Sequence, residues 1–449
     1  MKGVTLAEGL GVVGVVLCLT GAAAPVFAQA LDDLRSTHIE DGGVAVTDQS
    51  VAPSLAIAPE ETEALAVQNE SIGDPYAPLG LRRGGMIFYP SLQLGTVYTS
   101  NVSQASSGSK SDIGPRIKPA LRFQSDWSRH SWTGSASGDV TDYLKENSAT
   151  SKGIEAASKF KLDIRHTTWA EFDASYGLSQ TGPEDSEVPN TAIGKRTDHT
   201  LTASTALNHD FGGLEGRVKL ALERQIYEDV KLSGGGSEDN DDRNNYTPST
   251  SLRLSYTEPP ALKPFVEVSY APRFHDRKYD RNALKRNSQG VTASAGVVLD
   301  RGPIWTGEAA IVYSVRDYAD AALDANSAIG INGNLSWKPN DLTTVLLTLG
   351  TSLDETSLAT SSGSKTYTSR IELSHELREN VTMLAGAGLE LTRESGQTDK
   401  TYTSNLGIDW QLNQALSWTA SYDGTWFKPA TSGDDYNEQR LMTGIVLRR

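Results

Sequence analysis

The chain has 449 residues, 41 of them glycine and 16 tyrosine, with 38% hydrophobic residues and a formal net charge of −15. This composition excludes a helical membrane protein, which needs repeated runs of about 20 apolar residues, and the acidity disfavours nucleic-acid binding. The one cysteine, Cys18, lies so close to the start that disulfides, thiolate metal sites and a cysteine nucleophile are excluded from everything after it.

Lys2 precedes the apolar run Gly11–Thr20, which gives way to small residues and Val26-Phe27-Ala28-Gln29-Ala30. The pattern predicts a secretory signal peptide over residues 1–28, cleaved after Ala28 or Ala30. Val16-Leu17 stand before Cys18 where a lipidation site needs small residues, so no lipid anchor is expected. Residues 29–83 form the next unit. Asp32, Asp33, Glu40, Asp41, Asp48, Glu60, Glu61, Glu63, Glu70 and Asp74 face a single Arg35, with no aromatic residue between 31 and 75. Such a segment buries little apolar surface, which predicts a disordered periplasmic linker. A short helix through Glu60–Ala66 or a plug folded into a pore are the alternatives.

From residue 84 to 449 polarity alternates with a period of two, the mark of strands with one apolar and one polar face. Strands are expected near 86–99, 113–127, 131–143, 153–165, 168–180, 197–211, 214–228, 245–257 and 263–275. The second half continues with 288–300, 303–317, 325–338, 342–354, 365–377, 380–394, 400–412, 415–427 and 437–448, about 18 in all. Short connections such as 210–213, 301–302 and 413–414 alternate with long ones at 101–112, 181–196, 229–244, 276–287 and 355–364. The clearest strand is Leu416–Trp426, whose even positions are apolar, aromatic or small and whose odd positions are all polar. It reaches the roughly 9–11 residues of a tilted transmembrane strand, against about 5–6 in soluble sheets. An open sheet edge cannot stand in hydrocarbon. The expected fold is therefore an all-β, transmembrane, antiparallel up-and-down β-barrel with short periplasmic turns and long extracellular loops.

Aromatic residues sort by end. Trp127, Trp132, Trp169, Trp305, Trp337, Trp410 and Trp418 fall beside the short turns and Trp426 at the other end, while Tyr143, Tyr176, Tyr227, Tyr270, Tyr313, Tyr367 and Tyr402 lie toward the loops. Two interfacial girdles are expected from this distribution.

Parity also assigns the lumen. Arg116, Lys118, Arg122, Lys159, Lys161 and Arg165 would form a basic wall, with Asp139 among them, and Glu372, Glu376, Glu390, Asp409 and Asp423 an acidic one. Such walls either set a transverse field in a water-filled pore or simply hydrate it and pair with neighbours. The run Glu238-Asp-Asn-Asp-Asp242 lacks the ligand spacing of a calcium loop and reads as a solvated loop rather than a cation site. His275-Asp276 is the one adjacent pair with catalytic chemistry. No Gly-x-Ser-x-Gly, His-Glu-x-x-His or phosphate loop occurs, so neither an enzyme nor a cofactor is expected.

The barrel entry reads Gly80-Leu-Arg-Arg-Gly-Gly-Met-Ile-Phe88-Tyr-Pro90-Ser-Leu-Gln-Leu-Gly95-Thr-Val-Tyr98-Thr-Ser-Asn101-Val102. It resembles the opening of the beta-barrel porin 2 family, with a Gly-Arg-Gly-Phe-like entry, a proline in the first strand and a Tyr-x-x-Asn-Val exit. The resemblance covers residues from about 75 to the end and implies a part in exopolysaccharide production and export. The chain departs from many outer-membrane barrels in ending Leu447-Arg-Arg449 rather than on an aromatic residue, with Leu447 standing in. The expected location is the outer membrane of a Gram-negative bacterium. Expected partners are outer-membrane lipid and lipopolysaccharide, the barrel-assembly machinery, and polysaccharide or small solutes in the lumen. An export channel leads the functional reading, with a general diffusion porin or a structural, adhesive surface barrel as alternatives.

Overall fold

The computed structural model describes residues 75–182, 188–189, 191–354, 356, 361–430 and 435–449. The expected signal peptide and nearly all of the expected acidic linker lie outside the described residues. Eighteen long strands follow one another: β1 Met86–Thr99, β2 Asp112–Ser125, β3 Ser131–Thr141, β4 Ser151–Arg165, β5 Thr168–Thr181 and β6 Arg196–Asp210. Next come β7 Leu214–Tyr227, β8 Asn245–Tyr256, β9 Leu262–His275, β10 Ser288–Arg301, β11 Trp305–Tyr318 and β12 Asn326–Asn340. The chain ends with β13 Thr343–Asp354, β14 Ser364–Arg378, β15 Val381–Glu394, β16 Gln397–Asn413, β17 Leu416–Lys428 and β18 Tyr436–Arg448. Each strand pairs antiparallel with its sequence neighbours, and β18 pairs with β1 from Ser91↔Arg448 to Thr99↔Arg440. The sheet is closed, as the loss of water to its backbone groups in hydrocarbon requires.

Alternation decides which face meets lipid. On β9, Val266 and Val268 are each 55% exposed while Phe265 and Glu267 between them are buried. Ile329 and Ile331 on β12, Ile311 on β11 and Leu406 on β16 repeat the arrangement. A soluble protein rarely tolerates a continuous apolar exterior, but a barrel in a bilayer requires one.

Tight turns close one end at 166–167, 341–342, 379–380 and 414–415, and longer loops gather at the other. One connection breaks the alternation. The sequence reading joins the fifteenth and sixteenth strands through 395–399, yet β16 starts at Gln397 and the link is only Ser395-Gly396. Both residues adopt positive φ, 47° and 83°, the geometry of a two-residue hairpin turn, where serine followed by glycine is tolerated. The linker also ends earlier than expected: Leu81–Arg83 forms a short strand on β1, in register from Leu81↔Phe88 to Arg83↔Met86. Arg449 donates its backbone N–H to Pro90 O at 3.1 Å, and Leu447 lies between Leu92 and Leu416.

Trp127, Trp132, Trp305, Trp337, Trp410 and Trp418 all face outward at the turn end, with Trp305 and Trp337 stacked at 5.5 Å. Trp426 faces outward at the loop end in register with Tyr402. Trp169 does not belong to this girdle. Its Nε1–H donates to Glu171 Oε1 at 3.1 Å, on the lumen face.

At the closure two lumen-facing glycines oppose one another, Gly95 on β1 and Gly444 on β18. A Cβ at Gly444 would stand 2.7 Å from Leu94 O and 2.9 Å from the Gly95 Cα, backbone atoms that cannot move aside. Gly444→Val is expected to impair closure, read as loss of the compact SDS-resistant band on unheated gels. Gly177→Ala, where nothing lies within 4 Å, should leave that band unchanged.

Candidate functional site: the charged lumen

Strand parity gives the predicted wall residues a lumen-side position, except Arg165, which follows a register shift after Asp163. On β2, Arg116, Lys118 and Arg122 alternate with the exposed Ile113, Ile117 and Leu121. On β4, Lys159 and Lys161 alternate with outward Phe160 and Leu162, and Arg165 sits exposed at the turn-end rim. The register brings Glu372 and Glu376 on β14, Glu390 on β15, Asp409 on β16 and Asp423 on β17 to the same lumen face. In barrel order only β18 and β1 separate β17 from β2, so the two walls flank the closure.

Neither wall is bare. Arg116 donates through Nε to Asp139 Oδ2 at 2.8 Å, and the Arg122 guanidinium lies 5.8 Å from the Tyr89 ring centre. Lys161 Nζ lies 5.5 Å from that of Trp169. Lys159 is in register with Asp173 and Lys161 with Glu171. Across the closure, Arg370 meets Glu372 at 3.0 Å, and Arg440 is in register with Asp423. Each wall keeps its dominant sign while neighbours offset part of it.

A buried charge cluster in the lumen was not singled out from the sequence. Arg253 on β8 makes a bidentate pair with Glu308 on β11, at 3.1 and 2.7 Å, and lies 3.7 Å from Glu267 on β9. Its guanidinium covers the Phe265 ring at 3.5 Å, and Phe265 packs with Ala310, Val312 and Val298. Removing one partner of such a buried pair typically costs about 3–5 kcal/mol, because the other charge is left in low dielectric. The signal was present: Leu252-Arg253-Leu254 and Val266-Glu267-Val268 each set one charge between two lipid-facing residues. Glu223, Arg273 and Arg316 are likewise buried on β7, β9 and β11. Many inward side chains of β3 to β5 and of β14 and β15, including Lys159, Asp173, Glu372 and Glu390, are only half-buried, although Glu171 and Thr382 are buried. The lumen face is thus packed around β8–β11 and again along β16, β17, β18 and β1, where Asp409, Ser417, Thr419, Glu438, Val446 and Gln93 are buried. Its more exposed stretches lie on β3–β5 and on β14 and β15.

The loop end is tied together by charge. The acidic run is neither a solvated tail nor a cation site: Arg281 donates to Asp242 at 2.8 and 3.0 Å, to Asn240 Oδ1 at 2.9 Å and to Glu238. Arg277 meets Asp239 at 2.8 Å and Asp241 at 3.0 Å. The loop 182–195 joins the loop 228–244 where Ile193 N–H donates to Lys231 O at 2.7 Å. Arg286 reaches Ser361 O at 3.0 Å, and Lys285 N–H donates to Asp320 at 2.9 Å. These contacts join the connections after β5, β7, β9, β11 and β13 into one loop cap, and the next connection of this end is the two-residue turn at 395–396. His275 and Asp276 are not a catalytic pair. The first faces the lumen, and the second binds Arg224 on the outer face at 2.5 and 2.6 Å. Among the described residues no group of three His, Cys, Asp or Glu side chains is placed to hold a metal ion.

The family model "Putative beta-barrel porin 2" matches residues 74–449. No curated protein matches the chain. Solved structures with a similar fold include the outer membrane protein OpdK from Pseudomonas aeruginosa, 11% identical, with 81% of this chain and 99% of that one covered and a TM-score of 0.41. The siderophore receptors PiuA and PirA from Acinetobacter baumannii are 11% and 8% identical, with TM-scores of 0.43 and 0.41. PiuA covers 82% of each chain; PirA covers 81% of this chain and 80% of its own. At these values the likeness is one of fold.

The cap carries its own pH dependence. Burial works against ionisation of Asp242, but the guanidinium and backbone N–H of Arg281 outweigh it and hold the carboxyl below its ordinary 3.8. The Asp241 amide and Arg277 do the same for Asp239. A depressed folded-state pKa contributes stability in full above the ordinary value and loses it as pH falls through the depressed one. Protease cleavage within 228–244 is therefore expected to stay slow down to about pH 5 and to accelerate below about pH 4. Asp242→Asn should cleave quickly at neutral pH.

Proposed function

The chain belongs to the beta-barrel porin 2 family, and on that premise we propose that this outer-membrane barrel is a channel serving the export of a hydrophilic surface polymer, an exopolysaccharide. The observation that carries the reading is the half-exposed lumen wall of hydroxyls and offset charges. Ser131, Thr133, Ser135 and Ser137 line β3 beside Lys159, while Thr366 and Thr368 line β14 beside Glu372. Conduction requires many weak sites rather than one tight one. A saccharide chain can exchange hydrogen bonds along such rows, and the paired charges hold water without gripping a neutral polymer. On this reading the protein reaches the outer membrane of a Gram-negative cell through the signal peptide of residues 1–28 and transports without catalysis.

A second reading, diffusion of small hydrophilic solutes, is favoured by the ion-paired loop cap, which would hinder a bulky polymer more than a small solute. Deleting the gene and restoring it on a plasmid separates the two. Export predicts that secreted and cell-bound polysaccharide falls several-fold and returns with complementation. Unchanged polysaccharide together with slower uptake of small solutes would replace the export reading with the second.

A further inference from the structure

Lys365, Arg393, Lys400 and Lys428 stand on the outer face of four successive strands, β14 to β17, at the loop end. They share the parity of the lipid-facing Ile371, Tyr402 and Trp426. Each lies two residues closer to the loops than an outward apolar or aromatic residue: Tyr367, Leu391, Tyr402 and Trp426, respectively. At about 3.4 Å per residue this is about 7 Å further along the strand, the level of lipid headgroups above an interfacial girdle. The register puts Lys365 directly opposite Arg393 and Lys400 directly opposite Lys428. Like charges in directly opposed positions repel.

No carboxylate among the described residues offsets that repulsion. Among the described residues none of the four forms an ion pair, and the single contact of note places Lys428 Nζ 5.9 Å from the Tyr402 ring centre. The carboxylates nearest in sequence, Glu394 and Asp399, have lumen parity, and Asp399 accepts the Ala430 N–H at 2.7 Å. Two outer-face cations elsewhere at the loop end are matched: Arg224 by Asp276, and His199 by Glu228 at 3.2 Å. The connection above β15 and β16 is only the two-residue turn at 395–396, which leaves no long loop over Arg393 and Lys400 from that connection.

We propose that this patch binds the phosphate groups of a phosphorylated lipid of the outer leaflet. Arginine and lysine side chains at headgroup depth supply charge-assisted hydrogen bonds to phosphate, and clustered interfacial cations recruit anionic lipid. Four strands about 4.8 Å apart span about 14 Å, wide enough for a headgroup carrying more than one phosphate. The girdle residues Tyr402 and Trp426 would lie against its acyl chains. The bound lipid is the missing counter-ion, and it docks beside the two-residue turn at 395–396.

The test is retention of purified lipopolysaccharide by the full-length protein in detergent, followed by native mass spectrometry, with the SDS-resistant band as the check on folding. K365Q/R393Q/K400Q/K428Q is expected to lower affinity at least about tenfold with the barrel intact, and K152Q, an isolated outer-face lysine on β4, to leave it unchanged. Wild-type protein should bind enzymatically dephosphorylated lipopolysaccharide as weakly as the quadruple variant binds the intact lipid, an arm that needs no variant to fold. Equal binding of intact and dephosphorylated lipid, or full binding by a folded quadruple variant, overturns the proposal. Complete displacement by millimolar inorganic phosphate would also overturn it, by showing a site for the free anion rather than a lipid.

Discussion

Closure of the backbone hydrogen-bond ladder governs this molecule. In hydrocarbon each unsatisfied N–H or C=O costs several kcal/mol, so the seam between β18 and β1 is as necessary as any other pairing in the sheet. The facing glycines at 95 and 444 belong to that requirement, since backbone atoms approach there too closely for a side chain. Once the ladder is closed, the two faces of every strand acquire opposite solvents, and the period of two in the sequence becomes the division between lipid and lumen.

The lumen then faces an electrostatic problem that the barrel solves unevenly. Around β8–β11 it is packed, and Arg253, Glu267 and Glu308 satisfy one another over an apolar floor of Phe265, Ala310 and Val312. Such a cluster brings specificity of arrangement more than net stability. Lys159 and Glu372 keep partial solvent exposure while Asp409 is buried, and neighbours such as Asp139 and Arg370 offset inward charges without removing the dominant sign. On the proposed function a hydrophilic solute would pass along the more exposed stretches, β3–β5 and β14–β15. On the outer face the same rule holds with lipid as the environment: charges are paired with one another, as Arg224 with Asp276, or they stand at headgroup depth.

Most of the barrel was legible because strand periodicity is a local property. The eighteen strands, the lumen parity of the wall residues other than Arg165 and the end of the barrel at which each tryptophan lies follow from periodicity and turn spacing alone. What was not legible is what depends on tertiary distance. Arg253 reaches Glu308 across two intervening strands, and no local pattern couples residues 55 positions apart. The partners of the acidic run at 238–242 come from the following loop, so the run looked solvated when read by itself. Trp169 shows the limit of sorting aromatics by end without parity: it lies at the turn end but faces Glu171 in the lumen. The Ser395-Gly396 turn was readable as a hairpin signal but was absorbed into a longer connection. That turn places no long loop above Arg393 and Lys400.

The central claim is that the more exposed stretches of the lumen line a continuous aqueous path. Single-channel recording in a planar bilayer under a salt gradient, comparing the wild-type protein with K118E/K159E/K161E, tests it most directly. The account predicts discrete conductance steps, and a zero-current potential that shifts toward cation preference when those three lysines are reversed. Barrels that insert but conduct no current, or a potential unmoved by the reversal, would contradict it.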